Sequence, residues 1–173
     1  SKGDVRPIAI PTVWRKFNST AAVVHWGRSI SAHVGPMQFC SQRRNGCSTF
    51  ALALLQHTRA RPEDLLVQLD LKDAFCTIDR THVLRSLSQV SPQLAQSQVA
   101  WLAAPSHAVM YPVGGGCQIV TTTRGIPQGD PLSTLAFCAA LVSPLSAIPA
   151  RFPAAPVTAR AYVDDIVLTA PDA

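Results

Sequence analysis

The sequence predicts an α+β fold, an antiparallel sheet with helices packed on one face. Three observations carry that prediction. Helical and strand-like segments are mixed, without the regular alternation of a doubly wound sheet. Two short strand-like runs, "HAVMYPV" and "CQIVTTT", flank Gly114-Gly115-Gly116, as in a hairpin with a glycine turn. Near the end, "YVDDIVL" sets Asp164 and Asp165 side by side within an apolar run. Alternation along a strand would send neighbouring side chains to opposite faces. Two adjacent carboxylates reach one side only if the chain turns, so Tyr162 to Ile166 reads as a tight hairpin tip.

The remaining elements follow in order. "RPIAIP", Arg6 to Pro11, alternates and reads as extended, closed by Pro11. From Ser19 to Val34, Ala22, Val23, Trp26 and Ile30 mark one helical face. Asn45-Gly46 signals a turn, and Ser48 is placed to cap a helix through "TFALALLQHTRA". Pro62 ends it. Leu65 to Leu71 is a nearly continuous apolar run, which predicts a buried central strand. "DRTHVLRSLSQ" reads as a helix with Val83, Leu84 and Leu87 inward. Ser91 and Pro92 read as N-cap and first residue of the next helix. Leu132 to Leu145 reads as a buried core helix. Pro144 and Pro149 interrupt this most apolar stretch and argue against a membrane span.

Of the 173 residues, 47% are hydrophobic and 14% charged, enough for a core and too few charges for a disordered chain. The net charge is +5, mostly from Arg, which suits a polyanionic partner. The five cysteines, Cys40, Cys47, Cys76, Cys117 and Cys138, form no C-x-x-C pair, so zinc is not expected and a reducing compartment is. The five histidines show no ligand spacing. No signal peptide is read, and the chain reads as a core excerpt of a longer polypeptide.

Asp70 ends one apolar run and Asp164-Asp165 interrupt another. Ionised carboxylates near low dielectric cost several kcal/mol unless paired. Arg160 is the only cation within four residues of the pair. Mg²⁺ would resolve this, since it takes hard oxygen ligands from a few carboxylates and substrate phosphates. If Asp70 comes alongside, three carboxylates suffice for two metals and in-line phosphoryl transfer. On these residues alone an exposed turn and a helix-capping Asp70 account for the pattern equally well.

"LDLKDAF" (Leu69 to Phe75), "RGIPQGDPLS" (Arg124 to Ser133) and "YVDD" (Tyr162 to Asp165) occur in that order. They resemble the three central palm motifs of reverse transcriptases. "RPIAIPTVWRKF" (Arg6 to Phe17) resembles the fingers motif that precedes them. The form of "RGIPQGDPLS" is similar to that of non-LTR (LINE-like) retrotransposon enzymes. The resemblance implies a partial fingers region over residues 1–60 and a palm region over 61–173, truncated before the thumb.

By this resemblance Asp70 and Asp164 are catalytic metal ligands for two Mg²⁺ ions, with Mn²⁺ as a substitute, and Asp165 supports them. The peptide Lys72-Asp73-Ala74 lies where the family cradles the incoming dNTP. Phe75 matches the bulky residue that rejects a 2′-hydroxyl, with core packing as its rival role. Gln128 matches the residue that reaches the nascent base pair, and Arg6 the fingers arginine that contacts the triphosphate. Arg124, Gly129 and Lys16 are nucleic-acid-binding candidates, with a structural ion pair as the rival for Arg124. Asp130 with Pro131, and Asp79 with Arg80, read as helix starts.

The implied activity is RNA-templated DNA synthesis from dNTPs on a primer 3′-hydroxyl, within a retrotransposon polyprotein. The implied partners are RNA template, DNA primer and the rest of that polyprotein (a thumb, with or without an endonuclease), with no membrane. The implied location is intracellular, with the nucleus as site of action. Two alternatives stay open: a group II intron-like or other cellular reverse transcriptase, and a catalytically silent relic that only binds RNA.

Overall fold

The computed structural model describes residues 9–41, 44–112, 114–154 and 156–172. Contacts gather the chain into two compact units, each assembled from two separate stretches. One comprises Ser1–Trp26 with Asp73–Ser133, the other Gly27–Lys72 with Thr134–Ala173.

Helix α1 covers Val13–Val34, beginning six residues before Ser19. Its start is set by Thr12, whose carbonyl accepts from Lys16 N and whose hydroxyl accepts from Arg15 N. In the first unit, α3 (Ala74–Thr77) is followed by α4 (Arg80–Val90) and α5 (Pro92–Leu102). Asp79 caps α4, its carboxylate accepting from His82 N, and Ser91 caps α5 with Pro92 at the first helical position, as the sequence indicates. The inward face of α4 is Val83 and Leu87, both fully buried, while Leu84 is half-buried. They pack against α5, which buries Leu94 and Leu102. Strands β2 (Ser106–Met110) and β3 (Gln118–Thr122) pair antiparallel around the glycines as expected.

The second unit holds the three-stranded antiparallel sheet, in the order β1-β5-β4, with β1 Leu65–Leu69, β4 Thr158–Tyr162 and β5 Asp165–Ala170. β5 is the central strand and buries Ile166 and Val167 in succession. β1 was expected to be central and buried. It is an edge strand, with Leu65, Leu66 and Val67 exposed. A continuous apolar run signals two covered faces, and the described chain supplies no such cover for β1.

Helix α2 spans Gly46–Ala60, with left-handed Asn45 rather than Ser48 as its cap, and packs on β4. The Asn-Gly pair is thus a helix start, because Asn tolerates the left-handed region. Helix α6 covers Ser133–Arg151, with Pro144 and Pro149 inside it rather than ending it. It is long and apolar enough to cross a membrane by length and composition. It buries Phe137, Cys138, Leu141 and Leu145 within the protein, as a core helix does.

Candidate active site

The sheet register places the three aspartates. The last β1–β5 pair is Leu69 opposite Ile166, and Asp70 follows Leu69 directly. On the other side β4 and β5 close with Tyr162 opposite Asp165, leaving Val163 and Asp164 as a two-residue turn. Asp70, Asp164 and Asp165 therefore gather at one end of one sheet. Asp164 is half-buried; Asp70 and Asp165 are exposed. The hairpin inferred from adjacent carboxylates is the one the chain forms.

The turn is strained. Val163 has φ +58°, the left-handed region, and Asp164 does not share the positive φ. A positive φ at the first turn residue alone is the type II′ pattern, which normally takes glycine. A β-branched residue there costs roughly 1–2 kcal/mol. The side chain of Gln38 offsets it. Its Nε2 donates to the Val163 carbonyl at 2.9 Å, and its Oε1 accepts from Val163 N at 3.1 Å. Two hydrogen bonds at about 1 kcal/mol each match the strain in size.

Behind the hairpin, the Phe50 ring lies 5.4 Å from that of Phe39 and 6.3 Å from that of Tyr162. A hydrogen bond with Cys138, reinforced by one with Tyr162, lowers the Cys40 thiol to about 7. The same bond with Cys40, then burial, pushes Cys138 up.

The donor set at the sheet end fits a hard cation. None of the three aspartates forms an ion pair within 4.0 Å among the described residues. No three His, Cys, Asp or Glu side chains there stand in a ready-made cage. Mg²⁺ is usually held by one or two carboxylates and completed by substrate phosphates and water.

The other predicted residues that are described, apart from Lys72, lie in the first unit. Asp73 has φ +52° and starts α3; its carbonyl accepts from Cys76 N, Thr77 N and the Thr77 hydroxyl. Ala74 is buried and Phe75 half-buried. The Phe75 carbonyl accepts from Ile126 N at 2.8 Å, so the segment bearing Phe75 is tied to "RGIPQG". Gln128, half-exposed, accepts from Ala9 N through its carbonyl, and Gly129 is exposed. Lys72 and Lys16 are exposed. Arg124 is exposed as well, in no ion pair within 4.0 Å among the described residues. Arg6 lies outside the described residues.

Sequence reasoning missed how this glycine loop is held. Arg80, 6% exposed, donates to Gly125 O at 2.7 Å, Ala104 O at 3.0 Å, Thr122 Oγ1 at 3.0 Å and Arg124 O at 3.2 Å. Burial, then the nearby charge of Arg15, depresses its pKa. Asp79 is the helix cap expected, its carboxyl lowered first by the backbone N–H of His82. Arg80 reads in sequence as part of that cap and instead braces the loop. Gly125 has φ +78°, and a Cβ there would collide with the Cys76 carbonyl. Asp130 and Pro131 read in sequence as the start of α6, but the helix begins at Ser133, and Asp130 lies in the turn before it. Its Oδ1 accepts from Leu132 N at 3.0 Å, while its Oδ2 takes Arg15 Nε at 2.7 Å and Ser19 Oγ at 3.0 Å. Arg15, within the "RPIAIPTVWRKF" segment, is committed to that ion pair.

A family model described as reverse transcriptase (RNA-dependent DNA polymerase) matches residues 1–173. The chain belongs to the reverse transcriptase family. A curated relative, the retrotransposable element SLACS 132 kDa protein of Trypanosoma brucei gambiense, is 28% identical over 172 residues. That alignment takes in 98% of this reverse transcriptase chain and 14% of the relative. Among solved structures, telomerase from Candida albicans in complex with a TWJ fragment of telomeric RNA superposes with TM-score 0.55 at 11% identity. It covers 92% of this chain and 30% of the telomerase. Apo telomerase from Candida tropicalis, truncated from its C-terminal domain, gives 0.52 at 9% identity, covering 92% and 33%. At these identities the likeness is one of fold, and it agrees with the α+β reverse-transcriptase architecture expected from the motifs.

Proposed function

We propose that this chain is the catalytic part of a retrotransposon-encoded reverse transcriptase of the non-LTR kind, extending a DNA primer on an RNA template. The observation that supports this reading is the sheet register, which sets Asp70, Asp164 and Asp165 at one end of the sheet. Asp70 and Asp164 would hold two Mg²⁺ ions, with Asp165 in support. When bound, these ions lower the pKa of the primer 3′-hydroxyl and neutralise the triphosphate.

The chain's own residues bind and orient. Arg6 pairs with the triphosphate, and the peptide Lys72-Asp73-Ala74 cradles it. Phe75 stands under the sugar and leaves no room for a 2′-hydroxyl. Gln128 lies against the nascent base pair, and Arg124, Gly129 and Lys16 serve the template backbone. The 3′-hydroxyl gives its proton to solvent, and its oxygen forms a bond to the α-phosphorus while the bond from that phosphorus to the leaving pyrophosphate breaks. A polymerase must accept every base pair, so its nucleic-acid contacts go to backbone and shape.

The test is primer extension on an RNA template by the full-length protein. Asp70→Asn and Asp164→Asn abolish synthesis while circular dichroism stays unchanged. Normal rates in either variant remove the assignment.

A further inference from the structure

We propose that Gln38 is a positioning residue for the aspartate hairpin, and that the turn carrying Asp164 keeps its shape because this one buried amide holds it. The inference rests on the reading of Asp70 and Asp164 as metal ligands, with Asp165 in support.

Gln38 is 1% exposed, yet nothing in the polymerase chemistry needs a buried amide there. A buried polar group must find partners, and both of its partners are atoms of one residue, Val163. A primary amide is the neutral side-chain group that donates and accepts in the parallel geometry of a backbone peptide. It thus extends the sheet by one side-chain rung across the turn. The backbone of the same segment continues the contact. Gln38 bridges Ala161 in parallel, and Phe39 N donates to Ala161 O at 2.9 Å.

The Gln38 segment is itself braced. It leaves the 3₁₀ turn Gly35–Met37 into extended backbone. At Gly46, a Cβ would collide with the Phe39 carbonyl, so only glycine lets α2 start this close to the segment. Strained residues persist only where the surroundings over-determine them, and they concentrate at functional sites. Here the over-determined residue directly precedes Asp164. If the turn relaxed to a negative φ at Val163, the peptide leading into Asp164 would rotate and carry that carboxylate away from Asp70.

The experiment uses the full-length protein with Gln38→Met, which keeps the length and removes both hydrogen bonds. Single-turnover primer extension is expected to fall about 10- to 100-fold, the size usual when a partner that orients a metal ligand is lost. The half-saturating Mg²⁺ concentration rises, and the Kd for primer–template stays unchanged. A merely structural role would not move Mg²⁺ dependence apart from nucleic-acid binding. Glycine takes positive φ without penalty, so Val163→Gly added to Gln38→Met recovers about tenfold or more of the lost rate.

A wild-type rate and Mg²⁺ dependence in Gln38→Met, beside an inactive Asp164→Asn, overturns the positioning role and leaves the metal reading standing. Parallel loss of primer–template binding that Val163→Gly does not recover overturns it too. An active Asp164→Asn overturns both.

Discussion

The aspartate hairpin and the glycine loop are both short irregular segments held by one buried polar side chain from elsewhere in the chain. They are held differently. The hairpin is the end of a continuous antiparallel ladder, so register fixes most of it, and Gln38 needs only two hydrogen bonds at one residue. The glycine loop belongs to no ladder. It takes two hydrogen bonds from Arg80, at the Gly125 and Arg124 carbonyls, a tie from Phe75, and the Arg15–Asp130 ion pair. A segment whose place is set by sheet pairing can tolerate strain at one residue. A segment with no ladder of its own needs a charged brace, and burying that charge is acceptable only because its donors meet acceptors.

If this contrast holds, damage to the hairpin costs catalysis and damage to the loop costs stability or selectivity. The largest effect is expected from Asp164→Asn, a fall of about a thousandfold or more in single-turnover rate, as losing several kcal/mol of electrostatic stabilisation implies. Thermal unfolding should barely change. A collapse of the fold instead would break the comparison.

Next is Arg80→Leu, which leaves the buried Gly125 carbonyl without its donor. Urea unfolding of the full-length protein should show about 2–3 kcal/mol of lost stability. Near-wild-type stability would show that the loop holds itself. Gly125→Ala should cost about 1–3 kcal/mol, through its left-handed φ and the collision with Cys76; an unchanged midpoint would mean the backbone shifts freely. Phe75→Val should raise ribonucleotide incorporation while leaving the dNTP rate within about tenfold. Unchanged sugar selectivity in competition assays would return Phe75 to a packing role. The smallest effect is Val163→Gly alone. Relief of turn strain and the added freedom of glycine nearly cancel, so stability should move by less than about 1 kcal/mol.

Much of the candidate site is legible in the sequence because its residues are chemically out of place. Adjacent aspartates in "YVDDIVL" force a turn, and the turn is where they imply. Ser91-Pro92 states its own helix start. Gln38 and Arg80 were not legible as braces. A lone amide in "PMQFC" offers a faint signal, a polar residue amid apolar ones, but its partner lies 125 residues away. Arg80 sits in a helix-start pattern that fully accounts for its neighbour Asp79 and hides its own role. The Leu65–Leu71 run misled, since apolarity reports what a strand can bury and not what the described chain puts over it.

Local chemistry alone determined the α+β class, the hairpin tip, the caps of α4 and α5 and the reverse transcriptase motifs, because turns, caps and periodicity act over a few residues. Tertiary structure decided that β5 rather than β1 is central, that Asp70 ends beside the hairpin, and which distant side chains brace each loop. Those outcomes depend on strand order and long-range hydrogen bonds, which join residues that no sequence window holds together.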